Sequence, residues 1–132
     1  MFKTVLFPID GSRESGQAAE TVSELVKFHT SRLIILSVVE PVEETSDVMS
    51  SPEAVAKLLQ NAKALFSGQG IEAETIEREG KPAFTICDVA DEVEADLIIM
   101  GCRGLGLTEE GVSESVTNRV ISLSPCPVLV VP

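Results

Sequence analysis

LIIMGCRGLGLTEEGVSESVTN, residues 97–118, opens as an apolar run and breaks at Gly101. It then passes glycines at 104, 106 and 111 and re-enters helical chemistry near Ser113. The reading is a strand, a glycine loop and a helix start. Glycine lets a backbone take positive φ and approach a bound group closely. The first N–H groups of the following helix lack internal partners and attract anions. The ligand class that suits such a stretch carries phosphate. A bare Gly-x-x-Gly, taken alone, is only a chain turn. The stretch matches neither the Gly-x-Gly-x-x-Gly dinucleotide fingerprint nor a P-loop, which needs a Gly-Lys-Ser/Thr end. Its meaning depends on where the rest of the chain puts it.

Outward from it, the same alternation recurs. Residues 3–9 form a β-branched and aromatic run closed by Asp10-Gly11-Ser12, so a buried strand delivers Asp10 to its C-terminal end. Ser12 or a near neighbour caps the next helix, where Ala18, Val22, Leu25, Val26 and His29 recur at helical spacing. Residues 33–39 are a second continuous apolar run, as in a parallel strand covered on both faces. The acidic segment 41–50 has no periodicity and reads as a loop. Ser51-Pro52-Glu53 marks a helix start, with Val55, Leu58, Leu59, Ala62, Leu65 and Phe66 as its core stripe and Gly68 as its stop. Residues 71–76 alternate apolar or small with charged, which predicts an edge strand. Gly80-Lys81-Pro82 opens a third helix with Ala83, Ile86, Cys87, Ala90 and Val93 inward. Residues 97–100 are the fourth strand, 113–123 the fourth helix and 127–131 the fifth strand.

Five strands alternating with four helices predict one doubly wound, open parallel α/β sheet with helices on both faces. Right-handed crossovers with one reversal give the order 3-2-1-4-5. Strands 1 and 4 are then neighbours at the switch point, where such sheets bind ligands. Topology alone brings Asp10 to the glycine loop.

A chain of 132 residues fits one domain, 1–132, and a hydrophobic share of 44% supports a folded core. With no Trp, no Tyr and five Phe, that core is built from Val, Ile, Leu and Ala. The formal charge of −11 repels polyanions and argues against nucleic acid or an anionic membrane as partner. The cysteines Cys87, Cys102 and Cys126 make no Cys-x-x-Cys pair, against a disulfide framework or a zinc site. His29 reads as a C-terminal helix residue facing the macrodipole. No signal peptide or spanning segment is read, so the expected compartment is the cytoplasm.

In order along the chain, Phe7-Pro8-Ile9-Asp10-Gly11-Ser12, Gly80-Lys81-Pro82, the run from Ala95 through Gly104 and the run from Pro125 through Val131 resemble the universal stress protein family over nearly the whole length. The resemblance implies an adenine-nucleotide alpha-hydrolase-like fold, a homodimer and a regulatory role in stress. Its partners would include a regulatory protein not identifiable from sequence. It implies no catalytic residue, and at most slow ATP hydrolysis.

Many members bind ATP through an acid ending the first strand and a motif Gly-x2-Gly-x9-Gly-Ser/Thr. By that resemblance Pro8 and Asp10 lie by adenine and ribose, Val38 or Val39 adds to the adenine wall, and Gly101, Arg103 and Gly104 begin the phosphate loop. Ser115, Val116 and Thr117 follow where the motif's last members stand. The implied ligand is ATP or AMP, with Mg2+ only beside a triphosphate.

Glu114 occupies the position of the third motif glycine. At an effective dielectric of ~20, a carboxylate ~5 Å from a phosphate charge costs about 3 kcal/mol before screening. That is roughly a hundredfold in affinity. Three consequences stay open: a metal bridges Glu114 and the phosphates, Gly111 shifts the loop, or the protein is a dimeric interaction module that binds no ATP. Among other readings, a receiver domain needs an aspartate after strand 3, where Ile76-Glu77-Arg78 stands, and a lysine after strand 5. A hydrolase needs a second histidine or a Gly-x-Ser-x-Gly elbow. A flavin enzyme needs a fingerprint and aromatic walls. The expected dimer contact is the apolar fifth strand, through Val128, Leu129, Val130 and Val131.

Overall fold

The computed structural model describes residues 2–9, 13–39, 52–101 and 112–132, and at 13–16, 52 and 112–115 the backbone alone. Among the described residues nine elements alternate: β1 (Thr4–Pro8), α1 (Arg13–His29), β2 (Arg32–Val39), α2 (Pro52–Ser67), β3 (Ala73–Glu79), α3 (Pro82–Glu92), β4 (Leu97–Gly101), α4 (Val112–Leu123) and β5 (Val128–Val131). All strand pairs are parallel, in the order β3-β2-β1-β4-β5. The doubly wound sheet expected from the sequence is the fold.

Continuous apolar runs become strands because both faces are covered, and successive side chains alternate between two cores. Val5, Phe7, Leu33, Ile35, Leu97 and Ile99 pack with Ala18, Val22 and Val26 of α1 and Val55, Leu59 and Phe66 of α2. Their neighbours Leu6, Ile34, Leu36, Ile98 and Met100 pack on the other face with Ala83, Ile86, Val89 and Ala90 of α3 and Val120 of α4. The first core centres on an edge-to-face pair, Phe7 and Phe66, with ring centroids 6.1 Å apart.

Three local departures from the sequence reading have physical causes. The third strand is not 71–76 but Ala73–Glu79, because Ile71 belongs to the end of α2. There Ile71 N donates to Phe66 O at 2.9 Å and Gly70 N to Ser67 O at 3.0 Å, the two bonds of a Schellman cap. The residue at positive φ is therefore Gly70, at +82°, and not Gly68. Leu65, expected in the core stripe, is 52% exposed, while Val89, missing from the expected inward set, is fully buried.

α1 and α3 end the same way. Ser31 N donates to Val26 O at 3.0 Å and Ala95 N to Ala90 O at 2.8 Å. Here the left-handed positions are held by Thr30, φ +54°, and Glu94, φ +56°, where glycine would be unstrained. β3 is an edge strand, as expected, with exposed Glu74, Glu77 and Glu79. The acidic segment 41–50 and the cap candidates Ser12 and Ser51 lie outside the described residues.

Candidate functional site

β1 and β4 lie side by side where the winding reverses, with Val5 opposite Leu97 and Leu6 opposite Ile98. Carrying that register forward sets Pro8, the last residue of β1, level with Met100, one residue before the end of β4, so the two strands stop almost together. Ile9 N still donates to Leu36 O at 2.8 Å, which holds the chain in ladder geometry up to the residue before Asp10. On the outer side Gly101 pairs with Val131. α4 then begins at Val112, its N-terminus at this C-terminal edge of the sheet. Free N–H groups at that start are a source of partial positive charge.

Of the residues expected at the site, Pro8 ends β1 and Gly101 ends β4, each partly buried. Val38 and Val39 close β2 on opposite faces: Val38 packs partly buried against the α3/α4 core, and Val39 is buried in the α1/α2 core. Val116 packs against the α3/α4 core and Thr117 is 9% exposed, so both face inward from the second turn of α4. Glu114 and Ser115 fall in the first turn of that helix by backbone position. Asp10, Arg103 and Gly104, and with them Cys102 and Gly111, lie outside the described residues.

Arg78, near the end of β3, grips Glu92 of α3 with two hydrogen bonds of 2.6 and 3.3 Å. Those bonds, then the charge attraction, raise the Arg78 pKa and hold the Glu92 carboxyl below its ordinary range. Arg78 is therefore engaged rather than free for a phosphate.

Gly80 is a residue whose part the sequence reading missed. The sequence reading takes it as a helix opener and as part of a family motif, with no tie to β2. Its N–H donates to Val39 O at 2.9 Å and its φ is +154°. It thus anchors the end of β2 to the turn before α3. The signal available in sequence was the glycine itself between an edge strand and Lys81-Pro82.

Among the described residues no helix is long and apolar enough to cross a membrane. The sequence model of the universal stress protein family matches residues 1–132. Universal stress protein Sll1654 of Synechocystis is 68% identical over all of this chain and 87% of its own. YxiE of Bacillus subtilis is 36% identical over 99% of both chains. Among solved structures, UspA of Lactobacillus plantarum superposes with a TM-score of 0.84 at 24% identity, covering 99% of this chain and 98% of its own. A universal stress protein in complex with cAMP gives 0.81 at 27% identity, covering 99% and 97%. Motifs, fold and relatives agree, and the chain belongs to the universal stress protein family.

Proposed function

We propose that this protein is a regulatory stress-response module of one domain, 1–132, that binds an adenine nucleotide, ATP or AMP, across the C-terminal ends of β1 and β4. The observation that carries the reading is the switch point itself. Two adjacent parallel strands, β1 ending at Pro8 and β4 at Gly101, stop within one residue of each other in register, and the N-terminus of α4 returns to the same edge. The cAMP complex of a structural neighbour at 27% identity supports an adenine ligand on this fold. In this reading Pro8 and Asp10 hold the nucleoside, Val38 and Val39 back the adenine, and Gly101, Arg103 and Gly104 receive the phosphate with Ser115, Val116 and Thr117. Mg2+ accompanies a triphosphate only.

The test is mass spectrometry of small molecules released from freshly purified protein, followed by calorimetric titration with AMP and ATP. Asp10→Ala and Gly104→Val each weaken binding. Unchanged affinity in both defeats the placement.

The protein works in the cytoplasm as a homodimer through Val128, Leu129, Val130 and Val131, with a regulatory protein downstream. β5 is an outer strand of the sheet and Leu129 is 37% exposed. Antiparallel pairing of two such edges closes the assembly. Leu129→Lys with Val131→Lys gives a folded monomer by light scattering, whereas wild-type protein already monomeric at micromolar concentration refutes the dimer. A second reading, a dimeric interaction protein without ATP, is favoured by Glu114 in the first turn of α4, where its charge opposes phosphate.

A further inference from the structure

The flank of α4 that looks past β5 is apolar and exposed. α4 joins β4 to the neighbouring outer strand β5, so it lies over that pair, and its inward Val116 and Val120 share a core with Ile98 and Met100 of β4 and Val128 of β5. Each residue turns a helix by about 100°. Ile121 therefore stands about a quarter turn round from Val120, off the sheet-facing arc, and it is 51% exposed. The direction of that quarter turn is read from the neighbouring helix. α3 runs beside α4 on the same face and in the same sense, and Cys87, one residue after the sheet-facing Ile86, occupies the corresponding flank of α3. Cys87 Sγ donates to Val120 O of α4 at 3.9 Å. On α3 this flank faces α4, so on α4 the same flank faces outward, beyond β5, where the sheet ends.

We propose that the α4 flank at Ile121 packs against α4 of a second copy of this chain, so that the homodimer has a helix layer as well as a strand seam. The inference rests on the β5 pairing proposed above and adds the contact which that pairing implies. Two copies of one edge strand that pair antiparallel are related by a twofold perpendicular to the sheet, which keeps the α3/α4 face of both copies on the same side. α4 lies half a strand spacing inboard of β5 and its mate likewise, so the two helix axes are two strand spacings apart, about 10 Å. Helices pack at about 8–10 Å. The interval leaves no room for a third element and is filled by side chains, with Ile121 the exposed apolar one on that flank.

Charge selects the same surface. The chain carries −11, so a second copy is repelled from much of its exterior. The other edge of the sheet, β3, exposes Glu74, Glu77 and Glu79 and turns a copy away. Thr117 and Asn118, one helical turn before Ile121, carry no charge, and neither does β5.

The test uses the full chain, with association measured by sedimentation equilibrium. Ile121→Asp weakens the dimer by roughly tenfold or more, because an apolar contact is lost and a charge buried on both sides of the twofold. Ile121→Ala weakens it less, which separates lost packing from added charge. Circular dichroism stays that of wild type in both, since Ile121 is exposed in the single copy. Ile121→Cys treated with a short bismaleimide gives a covalent dimer whose two linked peptides both carry position 121, and the parent chain gives no such link. Dissociation by Leu129→Lys with Val131→Lys but not by Ile121→Asp, with no link between the two positions 121, overturns this inference and leaves the β5 pairing standing. Wild-type protein monomeric at micromolar concentration overturns both.

Discussion

Gly80→Ala is a demanding perturbation because two separable costs meet at one atom. A Cβ at position 80 would lie 2.5 Å from Thr85 Oγ1 and 3.8 Å from Thr85 Cβ. Ordinary carbon contacts are ~3.5–4.0 Å, so the first distance is about an ångström too short. The hydroxyl can swing away about χ1, at some cost to packing in the first turn of α3, where Thr85 N donates to Lys81 O at 2.9 Å. The backbone angle cannot be relieved in this way. A φ of +154° is glycine's territory, and forcing a side-chain residue to hold it costs about 1–3 kcal/mol. Overpacking adds about 1 kcal/mol at the lower end of its range, since rotation absorbs part of it.

The total for Gly80→Ala is about 2–4 kcal/mol. In a Thr85→Ala background it falls to about 1–3 kcal/mol, a coupling of ~1 kcal/mol in the double-mutant cycle. With a urea slope near 2 kcal/mol per molar, the single variant unfolds about 1–2 M earlier at unchanged slope. The Gly80 to Val39 hydrogen bond makes the effect local to the end of β2, so amide exchange at position 80 quickens before global unfolding. A cost below about 0.5 kcal/mol refutes the reasoning. A cost that Thr85→Ala leaves unchanged refutes the clash while keeping the backbone argument.

Thr30→Gly and Glu94→Gly relieve left-handed strain at two helix ends, and each raises stability by about 0.5–1 kcal/mol in urea melts; a loss in both contradicts the cap assignment. Arg32 holds the Glu74 carboxyl below its ordinary range, chiefly through hydrogen bonds of 2.7 and 2.9 Å, with burial opposing. Because the folded value is depressed, this contribution is whole above the unfolded pKa of about 4.3 and disappears as pH falls through the folded one. Glu74→Gln therefore flattens the stability curve between about pH 5 and about pH 3, by a small amount for so exposed a pair; parallel curves for the two proteins contradict it. Glu114→Gly tightens ATP by up to roughly a hundredfold and adenosine far less, because the penalty acts through phosphate; equal effects on the two ligands show the carboxylate to be a metal or solvent contact.

Strands covered on both faces were the most legible part of the chain. The middles of β1, β2 and β4 are near-continuous apolar runs because their central positions are covered on both faces, and a run of that kind has few alternatives. β3 was legible as an edge, through its charges, but displaced in register. Its start is decided by a cap that needs Ile71 to reach back to Phe66, a contact that periodicity does not encode. The same cap explains why Gly70, and not the first glycine after the helical stripe, takes the positive φ. Leu65 sat at helical spacing and yet faces outward, since the apolar stripe of α2 is narrower than the apolar content of its sequence.

Where a site would lie was legible through topology. Asp10 and Gly101 are far apart in sequence and carry no shared pattern; the strand order makes their strand ends neighbours, and the order follows from crossover handedness. Contacts between strand ends and the next turn leave no such trace. Gly80 looks like any glycine before a helix, and its bond to Val39 O appears only once β2 and β3 are paired along their length, Leu33 with Ala73 through Val39 with Glu79. Glu114 is the converse case, visible in sequence as a departure from a motif and given weight by its place in the first turn of α4. A carboxylate there offsets the partial charge that would draw phosphate, whatever the loop before it does. The number of phosphates on the preferred ligand is thus the quantity on which the two functional readings divide.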